Sequence, residues 1–122
     1  MTLTNPAPGI VRTDYQRHGT LGAAQFFFDY ARRVYRLQGQ PLWLFHDWRS
    51  GTGYDSEVRG AFMEFYSEMG EAVVRTELTF ASRLIAMGVS AVSIVVRELH
   101  VHHKPEDFES QFRAAVESRK IG

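Results

Sequence analysis

Apolar residues recur along this chain in two rhythms that alternate with each other. Between Thr20 and Leu37, residues Ala24, Phe27, Phe28, Ala31, Val34 and Tyr35 return every three or four positions, while Asp29, Arg32, Arg33 and Arg36 lie mostly off that stripe. The spacing predicts an amphipathic helix with Thr20 as its N-cap. Gly39 and Pro41 close it, because glycine accepts a left-handed C-cap and proline cannot continue a helix. Val58, Phe62, Phe65, Tyr66 and Met69 repeat the pattern in a second helix, capped by Asp55 or Ser56 and ended by Gly70. Phe108, Phe112 and Val116 do so in a last helix, where Pro105 suits the first turn and Glu106, Asp107 and Glu109 complement its positive end.

Between the helices the rhythm shortens. Ile10–Arg17 and Val73–Ala81 alternate loosely between apolar and polar, as half-exposed strands do. Leu42-Trp43-Leu44-Phe45 is a continuous apolar run bounded by proline and glycine, which predicts a strand covered on both faces. Leu99–His103 reads as a short strand. The stretch from Leu84 to Leu99 carries both signals: its β-branched run favours a strand, and Val92, Val95, Val96 and Leu99 are spaced for a helix. The alternation of the other elements places a helix there, from about Gly88. Residues 1–9, with Pro6 and Pro8, read as a flexible N-terminal tail, and residues 10–122 as one domain. The repeated strand–helix order predicts an α/β fold, a four- to five-stranded mixed, mostly parallel sheet with about four helices joined by right-handed crossovers.

Composition narrows the function classes. A chain of 122 residues has room for one domain. Fourteen Lys and Arg balance fourteen Asp and Glu, so the net charge is zero and binding of nucleic acid through bulk charge is not expected. There is no cysteine, hence no disulfide, thiolate metal site or Cys nucleophile. No apolar run reaches the ~18 residues of a membrane span. Residues Met1 to Gly9 lack the basic start and apolar stretch of a secretory signal. The expectation is a cytoplasmic protein.

In open α/β sheets ligands and partners meet the loops beyond the carboxyl ends of the strands. That directs attention to the segment from Asp47 to Arg59, which leaves the most buried strand and enters a helix. Its candidates are Asp47, Trp48, Arg49, Ser50, Thr52, Tyr54, Asp55, Ser56, Glu57 and Arg59. Ser50, Thr52 and Ser56 supply hydroxyls, Arg49 and Arg59 positive charge, and the helix start supplies free N–H groups. A tight connection with an ordinary N-cap accounts for the same residues without any function.

The strand Leu42–Asp47, the loop and the Asp55-Ser56 pair resemble the centre of a STAS-type domain, the fold of bacterial anti-sigma-factor antagonists. In that family an Asp ends a central strand and an Asp-Ser pair opens the following helix. The resemblance implies a non-enzymatic regulatory domain in signalling, binding a protein partner through residues 49–59, with a second copy of the chain as another candidate partner. Two positions depart from the family pattern. Glu57 stands where Ser or Thr usually accepts phosphate, and Val58 stands where Gly is common. A fixed charge at Glu57 partly imitates a phosphoserine at a helix N-terminus. A STAS-like, SpoIIAA-like domain with a small-molecule or lipid pocket between a helix and the sheet, near Trp48, is the alternative.

No cofactor is implied by any motif. His100 and His102 share one face of a strand, with His103 on the other; joined by His46 or Asp47 they offer a less favoured reading as a metal-dependent enzyme. Asp47 and Asp55 can serve as an acid–base pair only if the loop folds back. Neither a nucleophile elbow nor a phosphate-binding Lys loop is present. Phe26-Phe27-Phe28 cannot all lie on one face of a helix, since successive residues are ~100° apart. Phe27 and Phe28 are expected in the core, and Phe26 outside it as a contact residue.

Overall fold

The alternating rhythms produce five strands and four α-helices in a computed structural model that describes residues 1–121; Gly122, the last residue of the expected domain, lies outside the described residues. The strands are β1 (Thr2–Ala7), β2 (Ile10–Gly19), β3 (Leu42–Tyr54), β4 (Val73–Phe80) and β5 (Leu99–Val101). The helices are α1 (Leu21–Gln38), α2 (Ser56–Met69), α3 (Arg83–Val92) and α4 (Pro105–Ile121). One sheet holds all five strands in the order β1-β2-β3-β4-β5, with β1 antiparallel to β2 and every other pair parallel. The apolar Leu42 run lies at the centre of this mixed α/β sheet, as its continuous hydrophobicity requires.

Three successive crossovers step across the sheet in one direction, so a common hand places α1, α2 and α3 on the same face. Val11, Leu42 and Leu44 of the sheet pack there with Phe27 and Phe28 of α1 and with Phe62 and Phe65 of α2. The chain then returns as α4 on the opposite face, where Phe108, Ala115 and Val116 cover Ile10 and Phe45. Strand alternation sends Leu44, His46 and Trp48 to the first face and Trp43, Phe45 and Asp47 to the second. Phe27 and Phe28 are buried and Phe26 is 62% exposed, as helix geometry demands. Among the described residues no helix is long and apolar enough to cross a membrane.

Three elements correct the sequence reading. Residues 2–7 are not a tail but an edge strand; Pro6 is tolerated because it falls at a break in register between Thr4 and Ala7, on a strand with no outer neighbour. The Asn5 side chain donates to the carbonyls of Ala7 and Ile10 and fixes that irregularity. Residues 49–54 are not a loop, for β3 continues through them beside β2, with register shifts near Tyr15 and before His18. Finally, α3 begins at Arg83, not near Gly88; Ser82 caps it by accepting a hydrogen bond from the Ile85 N–H.

Candidate functional site

The extended end of β3 carries an apolar cavity between the sheet and α2–α3, with a volume of about 80 Å³. Trp48, Tyr54 and Leu78 from the sheet, Val58 and Phe62 from α2, and Ile85 from α3 form much of its wall. Glycines set how closely α3 approaches. A Cβ at Gly51 would lie 2.8 Å from Ile85 Cδ1, and one at Gly88 would lie 2.6 Å from the Tyr54 hydroxyl. The Ser-Gly-Thr-Gly stretch is therefore a strand thinned for helix contact, which explains its loop-like composition.

Polar groups at the inner wall are nearly all spoken for. His46 is fully buried, with Nδ1 2.6 Å from Thr13 Oγ1 and Nε2 3.3 Å from the Tyr66 hydroxyl, which lies 3.1 Å from Thr76 Oγ1. A consistent proton assignment has Thr76 donating to Tyr66, Tyr66 to His46 Nε2, and His46 Nδ1–H to Thr13. Burial lowers the His46 pKa to about 3, so the imidazole is neutral, and burial pushes the Tyr66 phenol well above its usual range. The Tyr15 phenol, edge-on to Trp48, is raised to about 12 by burial and by the charge of Asp55. Trp48 is the exception: its indole N–H is buried with no acceptor among the described residues. Leaving such a donor unpaired costs about 1–3 kcal/mol.

The ten sequence candidates divide among different surroundings. Trp48, Tyr54 and Arg59 line the cavity. Asp47 and Arg49 belong to the opposite face, where Arg49 pairs with Asp47 and Arg12 bridges Asp14, Asp47 and Glu109. Arg12 also lies over the rings of Phe108 and Phe112, so this ionic cluster ties α4 to the sheet. Burial raises the Asp47 pKa, but the hydrogen bonds and charge of Arg49, with the charge of Arg12, outweigh it and hold the carboxyl below its usual range. Ser50, Thr52, Ser56 and Glu57 are exposed. Asp55 occupies the N-cap position of α2 but makes no side-chain cap there; it accepts from His18 at 2.7 Å and from the Leu21 N–H at 3.0 Å. Asp47 and Asp55 share no partner and do not form an acid–base pair.

The histidine constellation also separates. His46 faces the cavity side of the sheet, and His102 bonds the buried Glu77 on the α4 side at 2.8 Å. His100 meets Glu98 at 3.4 Å. Among the described residues no group of three or more His, Asp or Glu is arranged to hold a metal ion.

A solved structure of an uncharacterised protein from the DUF3478 family of Shewanella loihica PV-4, with a SpoIIAA-like fold, matches this architecture. The TM-score is 0.64 over 84% of this chain and 82% of that one, at 9% identity. The fold is SpoIIAA-like. It is the STAS-like α/β architecture that the central strand and the Asp55-Ser56 pair resemble. No family model matches the chain, and no curated protein matches it by sequence. At this identity the likeness concerns the fold alone, and the site rests on this chain's own residues.

Sequence reasoning named Trp48, Tyr54 and Arg59 but missed Tyr15, Arg17, Tyr66 and the α3 residues that complete the cavity. Tyr66 falls in the core stripe of α2, and its hydroxyl is the one available sign of a polar role there. Arg17 gave no signal, since an arginine at the end of an alternating strand is ordinary.

Proposed function

We propose that this STAS-like domain binds a small, largely apolar molecule in the cavity beneath α3 and performs no chemistry on it. The observation that carries the reading is the apolar cavity itself, walled in part by Trp48, whose indole N–H is buried without an acceptor among the described residues. Small-molecule sites combine predominantly apolar walls with a small number of polar groups, and this cavity is walled mainly by apolar side chains. A binding role suits the rest of the wall. Among the described residues His46 is the one imidazole there; it is neutral and both its nitrogens are engaged.

The reading is tested by following the two indole N–H resonances in an NMR titration with 1-pentanol. The Trp48 signal is expected to move, while that of Trp43, bonded to Glu77 at 2.9 Å, stays fixed. Val89→Phe, which fills the cavity from α3, is expected to abolish the change. Equal or absent shifts at the two tryptophans overturn the reading.

A second reading keeps a protein partner at the start of α2, in line with the STAS-like resemblance. Support comes from Ser56 and Glu57, which stay exposed on the first helical turn and have no side-chain hydrogen-bond or ion-pair partner among the described residues. Because Asp55 anchors α1, the charge reversal that tests this surface is Glu57→Lys alone. Loss of a captured partner with an unchanged melting temperature supports it; unaltered capture counts against it.

A further inference from the structure

The charged groups that line the cavity have one sign. Arg17 and Arg59, from β2 and α2, line its mouth, both are exposed, and neither has an ion-pair or side-chain hydrogen-bond partner among the described residues. Guanidinium and indole N–H groups donate and never accept. No carboxylate lines the cavity among the described residues; the nearby Asp55 is engaged by His18 and the Leu21 N–H. A neutral chain thus surrounds one small apolar space with two unopposed cations.

The backbone holds one of these cations at a cost. Arg17 is the one non-glycine among the described residues with positive φ, at 62°, and it stands where the β2–β3 register shifts before His18. Such a conformation is uncommon outside glycine and costs about tenfold or more in population, and irregularities of this kind re-aim side chains beside sites. Here the displaced residue is carried to the cavity mouth.

We propose that the cavity takes a short-chain carboxylate, its alkyl chain among Val58, Ile85 and Val92 and its carboxylate on Arg17 and Arg59. The assignment rests on the small-molecule reading above and adds the ligand's charge. A volume of about 80 Å³ is well below that of an engineered cavity of ~150 Å³ that binds benzene, which favours a chain of a few carbons over a ring. Planar guanidinium groups match the two oxygens of a carboxylate.

Three probes separate the parts of the claim in NMR titrations followed at the Trp48 indole N–H: pentanoate carries chain and charge, 1-pentanol the chain alone, and acetate the charge with almost no chain. Pentanoate is expected to bind about tenfold or more tightly than either of the others. Arg17→Gln and Arg59→Gln are each expected to bring pentanoate close to the affinity of pentanol, with pentanol binding unchanged as the internal check on folding. Should Arg17→Gln disturb the strand, Arg59→Gln on the exposed face of α2 gives the answer independently. If pentanol binds as well as pentanoate, the carboxylate assignment falls and the apolar site stands. If neither binds, both fall.

Discussion

The carboxylate of Asp55 accepts a hydrogen bond from the backbone N–H of Leu21, so the residue at the N-cap position of α2 secures the beginning of α1. Thr20 serves the Ala23 N–H of the same helix start, and His18 completes the arrangement from the end of β2. The hydrogen bond to His18, then that to Leu21, keeps the Asp55 carboxyl ionised below its ordinary range. Asp55→Asn is accordingly expected to lower the melting temperature and to speed hydrogen exchange at the Leu21 amide. Ser56→Ala, one residue on, should change neither. Exchange at Leu21 equal to wild type would show that Asp55 does not secure the start of α1.

The central strand and its neighbours were legible because each signal had one physical source. Leu42–Phe45 is apolar at every position because both faces of β3 are covered, and Ala24–Val34 is periodic because one face of α1 is. The site was less legible because its signals had two sources. Gly51 and Gly53 are punctuation in a loop but clearance beneath a helix, and only the position of Ile85 decides between them. Pro6 likewise suggests a tail, and only the bulge in an edge strand makes room for it. Asp47 and Asp55 are separated in sequence as the STAS pattern asks, yet strand alternation and a helix cap send their carboxylates to unrelated partners.

Neutral burial of His46 makes stability depend on pH in a defined window. Its folded pKa is about 3 against an unfolded value near 6.5, so the unfolded chain binds the proton first as pH falls. Stability is unaffected above the unfolded pKa and drops by about 1.4 kcal/mol per pH unit below it, until the folded pKa is reached. Urea midpoints between pH 6.5 and 4.5 should show this slope. His46→Gln should flatten it by about that amount, and an unchanged slope would contradict the neutral imidazole.

Glu77 is fully buried on the α4 side, where Trp43, Arg75 and His102 all direct N–H groups at its carboxylate. Removing it strands three donors at once. Glu77→Ala is expected to cost about 3 kcal/mol, within the range for breaking a buried ion pair. His102→Ala removes one bond of the three and should cost about 1 kcal/mol. Chemical denaturation of both variants gives the comparison, and equal losses would show that His102 alone carries the carboxylate.

Gly88 and Gly60 oppose each other as tests of how α3 sits on the cavity. Both lie inside helices, where alanine is intrinsically favoured over glycine by about 0.8–1 kcal/mol. A Cβ at Gly60 meets nothing within 4 Å, so Gly60→Ala should stabilise the protein by about that amount. At Gly88 the same Cβ would press on the Tyr54 hydroxyl at 2.6 Å and on its ring at 2.9 Å. Overpacking of this kind costs about 1–3 kcal/mol and outweighs the propensity gain, so Gly88→Ala should destabilise. Truncating the ring in the double variant Gly88→Ala with Tyr54→Leu should recover part of the loss, because residues in contact couple by about 0.5–3 kcal/mol. Additive effects of the two substitutions would mean that α3 adjusts freely, and that Tyr54 does not fix its distance from the sheet.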